Sequence, residues 1–268
     1  MPPCAAARRT KGRENVANVE DLAELRKGGF GYRGRVGYLS PGIVDETLSA
    51  QFYRMAPPGV TMVRISLGLQ DVTVGDVESA LTRGEAAARE LGKYKPDCIV
   101  FGGSPTVAVA GIGSDKSIVE MVERESGCKA FSAQAVAIEA LKLYGVKKLA
   151  VATVFPDDVN ALVKKFLEHA GFEVRWIEGL NVPYVDHTYV PLQATYELGK
   201  RCFEKAGDAD ALYFAAAPQP CVCNIEPLEE ELGTLVISSL QASMWNALKI
   251  IGHTTPVERY GRLLRELR

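Results

Sequence analysis

Short apolar runs alternate with longer helical patterns along most of the chain. In the first half these runs are residues 35–40, Val60–Leu69 and Cys98–Phe101, and residues 147–153 open a second half with the same pattern. Strands that are buried on both faces have continuous apolar sequences, and parallel strands need crossover connections. The alternation therefore predicts an α/β fold with mostly parallel sheets that are flanked by helices.

Two of the predicted strands end in similar corners. Residues 211–215 form an apolar run, residues 217–220 break it, and residues 224–232 have helical spacing that Gly233 closes. In the first half, Cys98–Phe101 leads into the loop at residues 102–106, which begins with two glycines. Ligands of open α/β sheets bind at the carboxyl ends of strands, where N–H groups at helix N-termini favour an anion. The two corners predict two pseudo-symmetric Rossmann-like lobes with a site in the cleft between them.

The two lobes divide the chain into three parts. Residues 1–34 are basic and glycine-rich and are expected to form a mobile arm, with one short helix at residues 19–27. Residues 35–145 together with 246–268 form the predicted first lobe, and residues 146–245 form the second. A role for the arm in clasping a second copy, and so a homo-oligomer, is left open.

Composition excludes several classes of protein. The chain has 268 residues, of which 47% are hydrophobic and 24% charged, and its net charge of −2 argues against a nucleic-acid binder. No apolar run approaches the roughly 18 to 20 residues that span a membrane, and no secretory signal is present, so a cytoplasmic protein is expected. The six cysteines do not occur in CxxC pairs, so their spacing indicates neither a zinc site nor a disulfide framework. No metal or other cofactor is expected.

Four further motifs carry a family resemblance. They are the strand at 211–215 with the helix end at 228–233, the sequence SSLQASMW at 238–245, the sequence ATVFPDDVN at 152–160, and YGRL at 260–263. Together they resemble the aspartate/glutamate racemase superfamily, and more narrowly its arylmalonate decarboxylase and maleate isomerase branch, over about residues 35–265. The resemblance implies that the reaction passes through a carbanion or enediolate beside a carboxylate. It also implies that a cysteine in one or both corners moves the proton.

The chain differs from the family at the positions where the resemblance implies catalytic cysteines and hydrogen-bond donors. The cysteine positions fall on Gly103 and on Ala216, which precedes Glu229 by the family's spacing of 13 residues. A tyrosine donor of the family falls on Phe155, and a second donor falls on Pro105. The resemblance therefore does not imply racemase or isomerase chemistry that needs two cysteines.

Two residues are candidate replacements for the missing thiols. His187 lies in the predicted loop at 179–189, and histidine is well suited to proton transfer near neutral pH. Cys221 follows Ala216 by five residues, in the predicted first turn of a helix, where the helix dipole would lower the pKa of the thiol. The alternatives are an exposed histidine without a role and a cysteine that only packs.

The resemblance and the candidate residues together lead to one preferred function and one alternative. The chain is expected to be a decarboxylase-like or isomerase-like enzyme, with a lyase favoured, that acts on a small carboxylate or carbonyl compound through an enolate-like intermediate. The apolar corners favour a neutral or aromatic substrate over a dicarboxylate. The alternative is a catalytically inactive homologue that binds a ligand. The expected substrate-binding residues are Gly103, Ser104, Pro105, Phe155, Ala216, Ala217 and Tyr184.

Overall fold

The computed structural model describes residues 29–42 and 46–267, and it confirms the predicted α/β fold. These residues form two sheets, each of four parallel strands. The first sheet contains β1 (Gly34–Gly42), β2 (Val60–Leu69), β3 (Cys98–Phe101) and β4 (Ala130–Ser132). The second contains β5 (Lys148–Thr153), β6 (Glu173–Gly179), β7 (Ala211–Phe214) and β8 (Leu235–Ser238).

The two sheets have the same topology. Their strand orders are β2-β1-β3-β4 and β6-β5-β7-β8, so β3 and β7 occupy equivalent inner positions. In the register, Val36 pairs with Cys98 in the first sheet and Leu149 pairs with Ala211 in the second. The loops after β3 and β7 are therefore equivalent corners of two pseudo-symmetric lobes, as the sequence predicts.

Helices connect the strands and cover the sheets. In the described residues the α-helices are α1 (Glu46–Met55), α2 (Val74–Gly92), α3 (Ser104–Ala110), α4 (Ser114–Ser126), α5 (Ala133–Leu143), α6 (Asp157–His169), α7 (Leu192–Ala206), α8 (Ile225–Leu232), α9 (Ser239–Ile251) and α10 (Arg262–Glu266). Two 3₁₀-helices, Tyr184–Tyr189 and Val222–Asn224, precede α7 and α8. In the described part of the chain, no helix is long and apolar enough to cross a membrane.

The strand ends and helix starts are coupled by serine caps. Ser132 ends β4 and accepts a hydrogen bond from the N–H of Ala135 at the start of α5. Ser238 ends β8 and accepts from the N–H of Gln241, whose side chain bonds back to the Ser238 N–H in a capping box. Both helices therefore begin directly at the carboxyl edge of their sheets.

One hydrophobic core joins the two sheets. The larger cluster of buried apolar side chains includes Val36 and Val100 from the first sheet and Val151 and Val236 from the second. Within it, α9 from the end of the chain packs against α5 from the first half. A smaller cluster lies between the first sheet and α2, and includes Leu39, Val77 and Ile99.

Two predicted segments differ from the structure. The predicted loop at 102–106 becomes helix α3 from Ser104, because Pro105 is favourable in the first turn of a helix. The predicted loop at 179–189 contains the end of β6 and a 3₁₀-helix. The last helix, α10, begins only at Arg262, because Arg259 and Gly261 have positive φ angles of 74° and 81°. The helix predicted at 19–27 lies outside the described residues, and the domain boundaries remain a prediction.

Candidate functional site

The second corner is a tight turn after β7. The Ala215 N–H donates to the Ala152 carbonyl oxygen at 3.2 Å, which continues the sheet by one residue. The Gln219 N–H then donates to the Ala216 carbonyl oxygen at 3.2 Å, so residues 216–219 form a turn that brings these two residues together. Ala216 and Ala217 are buried, and Gln219 is 0% exposed. The position where the family resemblance implies a thiol therefore has a buried methyl group, and the same turn contains the buried Gln219.

Helix α1 of the first lobe closes the second corner. The Thr47 hydroxyl donates to the Pro218 carbonyl oxygen at 2.8 Å. The side-chain oxygen of Gln51 accepts from the N–H groups of Cys221 at 2.8 Å and Val222 at 3.1 Å. Gln51 thus satisfies two N–H groups at the start of the 3₁₀-helix that precedes α8.

The predicted activation of Cys221 is wrong. Cys221 precedes the 3₁₀-helix Val222–Asn224 and does not lie in the first turn of α8. Its side chain is buried, and burial raises the pKa of the thiol to about 12, although a hydrogen bond with Ser238 opposes this shift. The main cause of this shift is the cost of removing a thiolate from water. Cys221 therefore has the features of a packing residue.

The first corner has no room for a side chain at Gly103. Gly103 has a φ angle of 95° and precedes α3. A Cβ atom there would overlap the Pro41 ring and would lie 2.8 Å from the Thr106 hydroxyl oxygen. Pro105 has no N–H to offer a ligand. The side chains of Ser104 and Pro105 lie outside the described part of the structure, so their expected contacts remain predictions.

The corner after β5 is fixed by its own side chains. The Thr153 hydroxyl donates to the Asn160 side-chain oxygen at 2.6 Å and accepts from the Phe155 N–H at 3.1 Å. The Asn160 amide donates to the Phe155 carbonyl oxygen at 3.2 Å. These bonds explain why the threonine and asparagine of the 152–160 motif occur together, and they hold the buried Phe155 ring at the carboxyl edge of the sheet.

His187 lies against Phe155 and Tyr184. Its ring centroid is 5.6 Å from that of Phe155 and 4.9 Å from that of Tyr184. The Val182 N–H donates to the Val154 carbonyl oxygen at 3.0 Å, which ties the segment after β6 to the β5 corner. Three of the predicted site residues, His187, Phe155 and Tyr184, are therefore brought together. His187 is 3% exposed, which contradicts the alternative of an idle surface histidine.

The hydrogen bond of His187 defines its free nitrogen. Nε2 lies 3.0 Å from the Val182 carbonyl oxygen, which can only accept, so we assign the proton to Nε2. Nδ1 is buried and has no hydrogen-bond partner. Burial lowers the pKa of His187 to about 4, against smaller raising effects of the Val182 bond and the Asp186 charge. The imidazole is thus neutral at pH 7, with the Nδ1 lone pair unused.

Other unpartnered buried groups also follow strand ends. Within the described residues, buried polar atoms without a partner occur shortly after β3, β4, β6, β7 and β8. Native proteins leave few such atoms, because each one is unfavourable by about 1 to 3 kcal/mol. The side chains in question are Thr106, Gln134, His187, Gln219 and Ser239, together with the Gln51 amide nitrogen. They favour the carboxyl edge as the place of ligand binding.

The corner loops contain no cationic side chain. Residues 102–113, 153–156 and 215–224 include no lysine, arginine or histidine. From these loops an anion would meet N–H, amide and hydroxyl groups and no cationic side chain. A ligand with two negative charges would be poorly compensated in such surroundings.

Two surface cavities formed by described residues lie near the sheets. A cavity of about 410 Å³ is lined by Val182, Asp186 and Pro191 and borders the segment that contains His187. A larger cavity of about 530 Å³ lies at the opposite edge of the first sheet, beside Tyr32 and Val60. We place the candidate site by the buried polar groups rather than by the larger cavity, because that cavity lies at the amino end of β2.

Sequence comparison identifies the family. A family model described as arylmalonate decarboxylase matches residues 49–264, which is most of the chain. The chain belongs to the arylmalonate decarboxylase family. Arylmalonate decarboxylase from Bordetella bronchiseptica is 24% identical over 211 residues, which cover 78% of this chain and 88% of that protein.

Two solved structures of isomerases have the same fold. The maleate isomerase Iso from Pseudomonas putida S16 has a TM-score of 0.81 and 20% identity, covering 88% of this chain and 99% of its own. A maleate cis-trans isomerase from Nocardia farcinica, in a variant that holds a covalently bound succinylcysteine intermediate, has a TM-score of 0.76 and 22% identity, covering 87% and 98%. Relatives of the arylmalonate decarboxylase family in these comparisons are decarboxylases and isomerases, which supports an enzyme in general.

Sequence reasoning missed Gln51 and Gln219. Gln219 stands between two prolines in a loop, and this unusual setting is the one local signal that it is held in a fixed position. Gln51 lies within a helical pattern and has no such signal. Its contact with Cys221 joins residues that are 170 positions apart in the chain.

Proposed function

We propose that the protein is a decarboxylase-like lyase that acts on a small carboxylic acid with an adjacent carbonyl group. The proposed reaction passes through an enolate-like intermediate, with His187 as the proton carrier. The observation on which this depends is the buried, unpartnered Nδ1 of His187 beside Phe155. Membership of the arylmalonate decarboxylase family supports the reaction class.

The proposed proton transfer depends on the substrate's charge. In the free protein His187 is neutral, since its pKa is lowered to about 4. A carboxylate that binds beside Nδ1 raises this pKa, because an opposite charge favours the imidazolium form. Decarboxylation breaks the bond between the α-carbon and the carboxylate and leaves the electron pair on the α-carbon as CO₂ departs. The Nδ1 proton then passes to that carbon, and water reprotonates His187.

A lyase is preferred over an isomerase because the corner positions lack an activated thiol. The solved Nocardia farcinica isomerase contains a succinylcysteine intermediate. In this chain the corner positions are Gly103 and Ala216, and the nearby Cys221 has a pKa raised to about 12. A covalent route through sulfur therefore has no activated thiol at these positions.

The test is CO₂ release from malonate, phenylmalonate and malonamate, with maleate isomerisation measured alongside. Turnover by the parent should fall at least about 100-fold in His187→Gln, as expected for loss of a positioned acid or base. His169→Gln removes an exposed histidine and should retain full activity. Equal activity in both variants would remove His187 from the proposal.

The buried apolar corners favour one second function, an inactive homologue that binds a ligand. Ala216 and Phe155 provide no polar side-chain group where the family resemblance implies donors. This function predicts saturable binding of the same acids in calorimetry, with no CO₂ release and no isomerisation. Restored turnover in Ala216→Cys with Phe155→Tyr, and none in the parent, would favour it.

A further inference from the structure

We propose that the second corner binds a carboxamide group, through the side chain of Gln219 and the amide nitrogen of Gln51. The inference deepens the proposed function, on which it rests for the place of the site. It assigns the substrate class as acids with one carboxylate and one carboxamide on the same carbon, which are monoamides of malonic acids.

Gln51 provides donors in a fixed orientation. Its side-chain oxygen already accepts from two backbone N–H groups, those of Cys221 and Val222. This fixes which end of the amide is nitrogen, because only the oxygen can accept. The nitrogen, Nε2, is buried and unpartnered. Gln51 therefore offers its NH₂ group, and no acceptor, to a ligand.

Gln219 provides both a donor and an acceptor. It is 0% exposed, and both its Nε2 and Oε1 atoms lack partners. A backbone turn keeps Gln219 in the same tight loop as Ala216, the position of the missing thiol. A carboxylate offers only acceptors, so it would leave Oε1 unpaired and facing negative charge. A carboxamide can form two parallel hydrogen bonds with Gln219, as an amide side chain does with the edge of adenine.

The absence of charge in the corner loops favours the same ligand. Residues 215–224 and 102–113 contain no lysine, arginine or histidine to neutralise a second carboxylate. A monoamide carries one negative charge. CO₂ leaves as a neutral molecule, so this charge stays on the remaining fragment and develops on the amide oxygen. The NH₂ groups of Gln51 and Gln219 can stabilise this oxygen, which is the role that oxyanion donors play in other enzymes.

The proposed reaction needs no reactant other than a proton, which water supplies to His187. Malonamate loses CO₂ as its carbon–carbon bond breaks, and the electron pair stays on the α-carbon and its amide oxygen. One proton from His187 adds to the α-carbon and gives acetamide. Because Gln219 is fully buried, the bound ligand would be enclosed by α1, which the Thr47 and Gln51 contacts hold against the corner.

The first test compares binding of malonamate and malonate by isothermal titration calorimetry. The parent should bind malonamate at least about tenfold more tightly than malonate, since one paired amide contact is worth roughly that factor. Gln219→Met, which is similar in length and cannot hydrogen-bond, should lose this preference. Gln193→Met makes the same change at an exposed residue and should keep it. Equal affinity of the parent for both acids, or no binding of either, would overturn the proposal.

The second test is the stability of the ligand-free variants. If Gln219 is unpartnered until a ligand binds, Gln219→Met should leave the melting temperature unchanged or raise it by a few degrees. A lower melting temperature with unchanged malonamate affinity would show that the Gln219 amide stabilises the fold and does not bind the ligand, which would overturn the proposal. Gln219→Leu repeats both measurements if the methionine variant does not fold.

The two proposals fail differently. Binding of malonamate that depends on Gln219, without CO₂ release, supports the amide site and counts against the lyase. CO₂ release from malonate or phenylmalonate that is unchanged in Gln219→Met supports the lyase and overturns the amide site.

Discussion

The side-chain oxygen of Gln51 lies 2.8 Å from the backbone nitrogen of Cys221. One residue of helix α1 thereby ties the first lobe to the loop that follows β7. The same oxygen also accepts from Val222. The geometry of the second corner consequently depends on a helix from the other half of the chain.

Gln51→Leu should destabilise the protein by about 2 kcal/mol. The substitution leaves two buried N–H groups without an acceptor, and each unsatisfied group is unfavourable by roughly 1 to 3 kcal/mol, in part relieved by relaxation. The free energy of unfolding in urea measures the effect. Gln193→Leu, at an exposed position, is the matched control and should change little. A loss no larger in Gln51→Leu than in the control would contradict this interpretation.

Acid should weaken the folded state through His187. The folded pKa is lowered from 6.5 to about 4, so between these values the unfolded chain takes up a proton that the folded protein does not. The free energy of unfolding therefore falls as the pH drops from 6.5 towards 4, by on the order of 3 kcal/mol in total. Unfolding curves at several pH values test this. The slope should be smaller in His187→Gln, and His169→Gln should follow the parent.

Cys221 should resist alkylation in the folded protein. It is 1% exposed, and its pKa is raised to about 12, so both access and thiolate are lacking at pH 8. Cys223 is partly exposed and serves as the internal comparison. Iodoacetamide labelling followed by mass spectrometry should modify Cys223 first, and both residues should react in urea. Equal rates in the folded state would show that Cys221 is accessible.

Gly103→Ala should destabilise the protein more than Gly113→Ala. Both glycines have positive φ angles, 95° and 86°, so both substitutions introduce strain of roughly 1 to 2 kcal/mol. At Gly113 an added Cβ meets nothing within 4 Å, whereas at Gly103 it overlaps Pro41. We expect a further loss of at least about 1 kcal/mol for Gly103→Ala. Chemical denaturation of the two variants gives the difference, and equal losses would show that the loop relaxes freely.

The sheets could be predicted because their signal is local. The run at 211–215 is apolar because it is buried on both faces, and the structure places β7 at Ala211–Phe214 with every residue buried. The 152–160 motif is also readable, since Thr153 and Asn160 bond to each other across seven positions. Such features depend on residues that are close in sequence.

The properties of the corners could not be predicted in this way. The helix dipole predicts a lowered pKa for Cys221, but the burial of this thiol depends on how distant elements pack, including α1. The sequence at residues 102–106 predicts a loop without a helix, because glycine and proline also signal turns. The side-chain oxygen of Gln51 accepts from the N–H of Cys221, which is 170 positions away in the chain. These contacts become visible only when both halves of the chain are in place.

The repeated strand order has a consequence for how the protein unfolds. Each half has its own four-stranded sheet, yet α9 from the second half packs against α5 from the first, and one apolar cluster runs through both. Separating the halves would expose that shared interior to solvent. Neither half should persist as an autonomous folding unit, and denaturation should proceed as a single cooperative event.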